Sequence, residues 1–366
     1  MEEKLKKPDL WLTVSILGIL TIGMIMVYSS SSIWSEYKFD DPFYFAKRQL
    51  LFASIGLVAM FMLSRIPYYV WHGHAKVIMI ICLVCLAAVL IPGVGMVRGG
   101  ARSWIGIGMF SIQPSEFMKL GLILFLARFL SMRQKKMNSF QEGFLPGLAL
   151  ILFPFALIML QPDLGTGVVM VGTCLVMMFT AGARISHFMW IAAVGMAGMV
   201  ALIASAPYRI KRITAFLHPW EDPLGSGFQI IQSLYAIGPG GLLGLGLGNS
   251  MQKFFYLPEP QTDFIFAVLA EELGFLGGLL LLGLFFILLW RGIRTSLYAP
   301  DLFGSLLALG IVGMISIQVM INVSVVTGLI PVTGITLPLV SYGGSSLTLT
   351  LASLGLLLSV SRFSSR

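Results

Sequence analysis

Residues 303–327 read F-G-S-L-L-A-L-G-I-V-G-M-I-S-I-Q-V-M-I-N-V-S-V-V-T, without one charged side chain. At 1.5 Å of rise per residue, a helix of this length crosses a hydrocarbon layer of about 30 Å. Backbone groups in lipid must pair internally, so a spanning run is a helix or a closed-barrel strand. This one is far longer than the roughly ten residues of a barrel strand. Outward from it, similar runs recur at 10–30, 47–64, 74–92, 114–131, 145–160, 164–181, 187–205, 263–290 and 343–361. The predicted fold class is all-α: a polytopic integral membrane protein with about ten transmembrane helices, forming one multi-pass domain over 1–366. Composition agrees, with 57% hydrophobic and 11% charged residues, against about 25% charged in soluble domains.

Charge sets the predicted orientation. With the N-terminus in the cytoplasm, the inner segments hold more than half of the 24 Lys and Arg, among them Lys4, Lys6, Lys7, Arg133, Lys135, Lys136, Arg291 and Arg294. This satisfies the positive-inside rule and puts both termini in the cytoplasm. The first run is too long for a signal h-region and lacks an A-x-A exit, so it is expected to be retained. The net charge of +8 is thus an orientation signal. No basic run is interleaved with aromatics, so no nucleic-acid partner is expected. Cys82 and Cys85 form a C-x-x-C inside an apolar helix without the four ligands of a zinc site, and they read as small core residues.

Two stretches interrupt the apolar pattern on the predicted outer face, 93–113 and 206–262. The second is far longer than ordinary helix connections. Phe228, Ile231, Leu234 and Tyr235 recur in it at helical spacing, which predicts a short amphipathic helix at the membrane interface. The glycine-rich run from Gly238 to Gly248 is neither a Walker loop nor a dinucleotide fingerprint, and it reads as a turn with close helix packing. Arg209, Lys211 and Arg212 stand on the wrong side for an orientation signal. They are either a solvated, headgroup-facing cluster or a phosphate clamp, which Arg98 and Arg102 of the first outer loop could join.

Ionisable residues at membrane depth are costly and usually face a cavity. Glu116 and Lys119 lie three apart after Gln113-Pro114, on one helix face and able to pair. Asp163 opens the sixth helix in Gln161-Pro162-Asp163, and Asp263 opens the eighth. Each acid has a plainer reading as a first-turn complement to the helix dipole. On the predicted topology all four side chains lie near the outer face and line one outward-facing cavity.

The segment from Asn322 to Ser346, N-V-S-V-V-T-G-L-I-P-V-T-G-I-T-L-P-L-V-S-Y-G-G-S-S, resembles the signature of the FtsW/RodA/SpoVE family, also called SEDS proteins. Gln113 to Lys119, Gln161 to Thr166 and Pro258 to Phe266 are similar to further motifs of that family. The resemblance covers nearly the whole chain and looks closest to the sporulation and division branch of spore-forming Gram-positive bacteria. It implies a multi-pass protein of the bacterial plasma membrane that acts as a peptidoglycan glycosyltransferase. Such proteins polymerise lipid II, a disaccharide-pentapeptide on undecaprenyl diphosphate, at the outer leaflet for division or spore cortex synthesis. They work beside a class B penicillin-binding protein. The family's essential aspartate falls on Asp263, its acid and lysine of the fourth helix on Glu116 and Lys119, and its acid before the sixth helix on Asp163.

The residues suit that chemistry. A diphosphate leaving group needs positive charge where negative charge develops, for which Lys119, Arg98, Arg102, Arg209, Lys211 and Arg212 are candidates, with a divalent cation (Mg or Mn) as an aid. An acceptor hydroxyl needs a carboxylate base, expected to be Asp263, with inversion at the anomeric carbon. Two rival classes use the same features: a flippase that moves lipid II without consuming it, and a non-enzymatic scaffold for the cross-linking partner.

Overall fold

The computed structural model describes residues 7–98, 101–107, 110–204, 216–225, 227–254 and 256–364. Among the described residues, ten long helices stand at the ten expected places: α1 (Leu10–Phe39), α2 (Tyr44–Arg65), α3 (Tyr69–Ala88), α4 (Pro114–Arg133), α5 (Leu145–Met159), α6 (Leu164–Thr180), α7 (Ile185–Ala204), α9 (Ile265–Leu297), α10 (Leu302–Val326) and α11 (Gly344–Phe363). The short α8 (Phe228–Ile237) lies in the long outer loop. Among the described residues seven helical runs are long and apolar enough to cross a membrane by length and composition, α5 counting with the turn before it as Phe140–Met159, and α6 and α7 hold shorter apolar helices. α4 holds Glu116 and Lys119 inside its first two turns. The protein is a polytopic helical membrane protein.

The start signals are local. Asp9 caps α1 by accepting from the Leu12 amide (3.1 Å), and Asp301 caps α10 by accepting from Gly304 (2.7 Å), each satisfying an orphan donor of the first turn. At the same end of the bundle Arg291 of α9 pairs with Asp9. α10 and α11 form the centre; α11 is buried on almost every face from Leu347 to Val360. α2 lies along α11, α3 along α4, α1 along α9, and α6 and α4 against α10. The peripheral α2 and α3 expose Val58, Phe61, Ile81 and Val84. Such a stripe is stable in hydrocarbon, which imposes no need for a polar exterior.

Three features depart from the sequence reading. First, the outer stretch 93–113 contains a small antiparallel sheet, β1 (Met96–Arg98), β2 (Ala101–Ile107) and β3 (Phe110–Ile112), with Val97 opposite Arg102 and Ile105 opposite Ile112. Second, α8 docks on α9 and α10 and buries Ile230, Ile231, Ser233 and Ala236, with Ser233 Oγ donating to the Val326 carbonyl (2.7 Å). Third, α9 is broken at Gly274 (φ 67°, ψ −165°). The glycine-rich run supplies the missing partners at the break. Leu245 and Gly246 donate to the Glu271 and Glu272 carbonyls (2.9 and 3.0 Å), and Phe275 and Leu276 donate to Gly241 and Leu242 (2.9 and 3.1 Å). Non-helical backbone at membrane depth is tolerated only where protein pairs it in this way. A Cβ on Gly274 would lie 2.3 Å from the Gly244 nitrogen, and one on Gly244 would lie 2.2 Å from the Glu272 carbonyl oxygen. Both glycines have positive φ as well, so neither position admits a side chain.

Candidate active site

The N-terminal ends of α2, α4, α6 and α11 converge on one cavity of about 530 Å³, closed by the segments before α9 and α11. Glu116, Asp163 and Asp263 all line it. The partial positive charge of several helix starts therefore faces one space, an arrangement that favours anions.

Glu116 and Lys119 form a buried pair at 2.9 Å, with side-chain exposures of 9% and 3%. Pro114 opens α4, as its fixed φ and missing N–H suit the first position. The two charged residues then share one face a turn apart, Glu116 toward the cavity and Lys119 behind it. Asp163 caps α6 itself, accepting from the Thr166 amide at 3.1 Å; the helix starts after it, so Pro162 is not the first helical residue. Its other oxygen accepts from Gln113 Nε2 (3.0 Å) and Ser115 Oγ (3.3 Å) of the α4 entrance.

Asp263 lies two residues before α9, not in its first turn, and the α9 cap position is Phe264, without a side-chain cap bond. The family-like signature segment holds Asp263 in place. Asn322 Nδ2 donates to the Asp263 carbonyl and to the Ile335 carbonyl, both at 2.8 Å. Ser341 Oγ donates to the Thr262 carbonyl (2.6 Å), and the Tyr342 amide to the Gln261 carbonyl (2.8 Å). Gly334, at φ 72°, brings bare backbone beside the carboxylate: a Cβ there would lie 3.8 Å from Asp263 Oδ2. Gln49 of α2 ties in the same segment, donating to the Ser341 carbonyl (3.1 Å) and accepting from the Gly343 amide (3.3 Å). Burial pushes the Asp263 carboxyl up to about 6, and the nearby Glu259 carboxylate adds to the rise. Both effects disfavour the charged form.

Of the cationic candidates, Arg102 is half-buried on β2 and is not among the cavity-lining residues. The Arg98 side chain and residues Arg209, Lys211 and Arg212 lie outside the described residues. Two charged lining residues were not singled out from the sequence. Arg48, a turn inside α2, donates to Tyr44 Oη at 2.7 Å and faces the cavity; the cost of a charge in an apolar run would have flagged it. Glu259 lies between two prolines at φ 49°. Trp104 of β2 forms part of the wall. The described charged lining is thus Arg48 against Glu116, Asp163, Glu259 and Asp263. Among the described residues no group of three or more His, Cys, Asp and Glu could by itself hold a metal ion.

A helical membrane bundle with a carboxylate-rich cavity at the starts of its helices defines a class: a multi-pass membrane protein built to handle a polar group. A family model for FtsW, RodA and SpoVE, described as cell cycle protein, matches residues 10–366, and the chain belongs to this family. It is 66% identical over 364 residues to stage V sporulation protein E of Bacillus subtilis, covering 100% of both chains. It is 43% identical to the probable peptidoglycan glycosyltransferase FtsW of Trichlorobacter lovleyi, covering 99% of this chain and 96% of that one. Among solved structures it is similar to a chain of a peptidoglycan synthase complex that coordinates polymerization and crosslinking (TM-score 0.79, 35% identity, 97% and 98% covered). It is also similar to the rod shape determining protein RodA of Thermus thermophilus (TM-score 0.71, 33% identity, 97% of each chain).

Proposed function

We propose that this chain is a peptidoglycan glycosyltransferase of the bacterial cell membrane, polymerising lipid II into glycan strands at the outer leaflet, with Asp263 as the general base. The observation that carries the assignment of the base is Asp263 itself. It is held by backbone hydrogen bonds at the wall of the cavity, with its carboxyl pushed up to about 6. At neutral pH such a group is still ionised, yet more basic than an ordinary carboxylate, as proton abstraction from a sugar hydroxyl requires. The relatives named peptidoglycan glycosyltransferase support the reaction class.

The acceptor hydroxyl loses its proton to Asp263 as its oxygen attacks the anomeric carbon of the donor sugar. The bond to the undecaprenyl diphosphate breaks in the same displacement, and configuration inverts, by analogy with single-displacement glycosidases. The converging helix starts and Arg48 face the leaving group. With four carboxylates opposite one guanidinium, a diphosphate needs more positive charge. Arg98, Arg209, Lys211 and Arg212 are its expected protein sources. A divalent cation also fits, because magnesium is commonly held by one or two carboxylates with its other ligands from phosphate and water. Asp263 and Glu259 would hold it, and it would supply charge stabilisation for the departing diphosphate. Glu116 and Lys119 shape the wall, and Asp163 orders the α4 and α6 entrances. A class B penicillin-binding protein is the proposed partner, supported by the likeness to the synthase complex.

The test is incubation of the purified protein, with its co-purifying transpeptidase, with labelled lipid II. Glycan strands that disappear with Asp263→Asn support the reading. Transfer of lipid II across vesicles without its consumption would replace it by the flippase reading.

A further inference from the structure

Outside the cavity, a second charged cluster is buried where α1, the long outer loop and the broken α9 meet. Glu272 is fully buried and pairs with Lys253 Nζ at 3.0 Å, with side-chain exposures of 0% and 3%. Ser29 Oγ of α1 lies within hydrogen-bond distance of both Glu272 oxygens (2.7 and 2.6 Å), and the Ser250 amide donates to Oε1 (3.3 Å). Lys253 Nζ also donates to the Gly248 carbonyl (2.6 Å). The adjacent Glu271, equally buried, accepts from Ser250 Oγ (2.5 Å) and the Met251 amide (2.8 Å).

Two facts give this cluster a purpose beyond stability. A buried ion pair is weak evidence for stability, since a well-packed apolar pair of similar volume is often as stable or more so. What an ion pair with filled hydrogen bonds does supply is direction. The second fact is its place in the chain. Lys253 stands at the start of the segment that carries Glu259 and Asp263, and Glu272 lies in the first part of α9, the helix that this segment enters. The pair holds the start of that segment against α1 and against the break at Gly274, while the signature segment grips it at Thr262 and Asp263.

We infer that the Lys253–Glu272 pair is a clasp that positions Asp263 and Glu259 in the cavity, so that both residues act on the reaction through Asp263 without touching substrate. The inference rests on the reading of Asp263 as the base. The charged groups around Asp263 are Glu259 on its own loop, Glu116 from α4, Asp163 before α6 and Arg48 from α2. None of them belongs to the clasp.

The clasp is tested on the full chain in lipid nanodiscs with Lys253→Met, Glu272→Gln, the double variant Lys253→Met with Glu272→Leu, and the conservative Lys253→Arg. The double variant removes both charges and tests the clasp even if the single ones fold poorly. Per folded molecule, it is expected to lose about 10- to 100-fold in kcat with little change in KM, as for catalytic groups moved by about an ångström. The conservative Lys253→Arg should keep kcat near that of the parent chain. A merely structural pair would lower the folded yield and leave kcat in place, which would overturn the inference.

A readout independent of catalysis uses Asp263→Cys in a chain whose three native cysteines are replaced by Ala. Adding Lys253→Met with Glu272→Leu should raise its alkylation by a small maleimide about tenfold, since thiol reactivity follows exposure and thiolate fraction. An unchanged rate sinks the clasp. If instead Asp263→Asn keeps polymerising, the base reading falls, and the alkylation result still decides whether the clasp holds the loop.

Discussion

Replacing Asp263 by Asn keeps shape and removes basicity, so glycan-strand formation from labelled lipid II is expected to fall by about 10²–10⁴-fold per folded molecule. The wild-type rate should also fall as pH drops through about 6, because the raised carboxyl is protonated there and cannot accept a proton. Glu259→Gln removes a neighbouring negative charge that raises that value. Its acid limb is therefore expected to lie at lower pH than the wild type's, and a limb that stays in place would remove Glu259 from the site. Glu116 and Lys119 call for a different comparison. Either single neutralisation leaves a buried charge without its partner, at about 3–5 kcal/mol. The double change Glu116→Gln with Lys119→Met is expected to recover folding, read as monodisperse protein by fluorescence-detected chromatography, but not activity. A fully active double variant would make the pair structural only.

The elements carry the site as much as the residues do. The helix pattern was legible because each span is an apolar run, and the polar starts at Gln113-Pro114 and Gln161-Pro162-Asp163 marked where α4 and α6 enter the cavity. The break in α9 was hidden, because the run through Gly274 reads as continuous helix, although Glu271 and Glu272 just before it are costly charges within an apolar span. Its reason is the Gly240–Gly246 segment, which only the folded chain brings beside it. Gly274→Ala is expected to destabilise the protein well beyond the roughly 1–3 kcal/mol of a strained backbone conformation, because its Cβ meets backbone rather than a yielding side chain. Thermal unfolding in lipid against Gly283→Ala, a glycine of α9 with open space around it, checks this. Equal midpoints would mean the loop tolerates displacement. The three-stranded sheet was also missed, since its strands are short and carry no clear alternation. Lys253 and Glu272, nineteen residues apart, could not be paired from spacing alone.

For the whole molecule, the charge asymmetry puts Glu221 outside the cell and Ser139 inside, and both are exposed. A cysteine at Glu221 is expected to react with an impermeant maleimide on intact cells, and one at Ser139 to react only after permeabilisation. The reverse pattern would invert the membrane orientation and with it the outer-leaflet site. Part of the electrostatics of the cavity was legible and part was not. Runs of sequence revealed which charges are costly and that Lys119 can pair with Glu116 a turn away, but not that Arg102 stands away from the lining while Arg48 belongs to it.

The grip of Asn322, Ser341 and Tyr342 on the segment at Asp263 also has a meaning in time. The ribosome makes Asp263 before any of these three partners. While the chain is still growing, the carboxylate has entered the membrane surface without the grip of Asn322, Ser341 and Tyr342. The cavity closes only when the last quarter of the polypeptide has been delivered and α11 has threaded in beside α2. A stalled or prematurely ended product therefore lacks these contacts, and the cavity takes its shape only in chains made through α11.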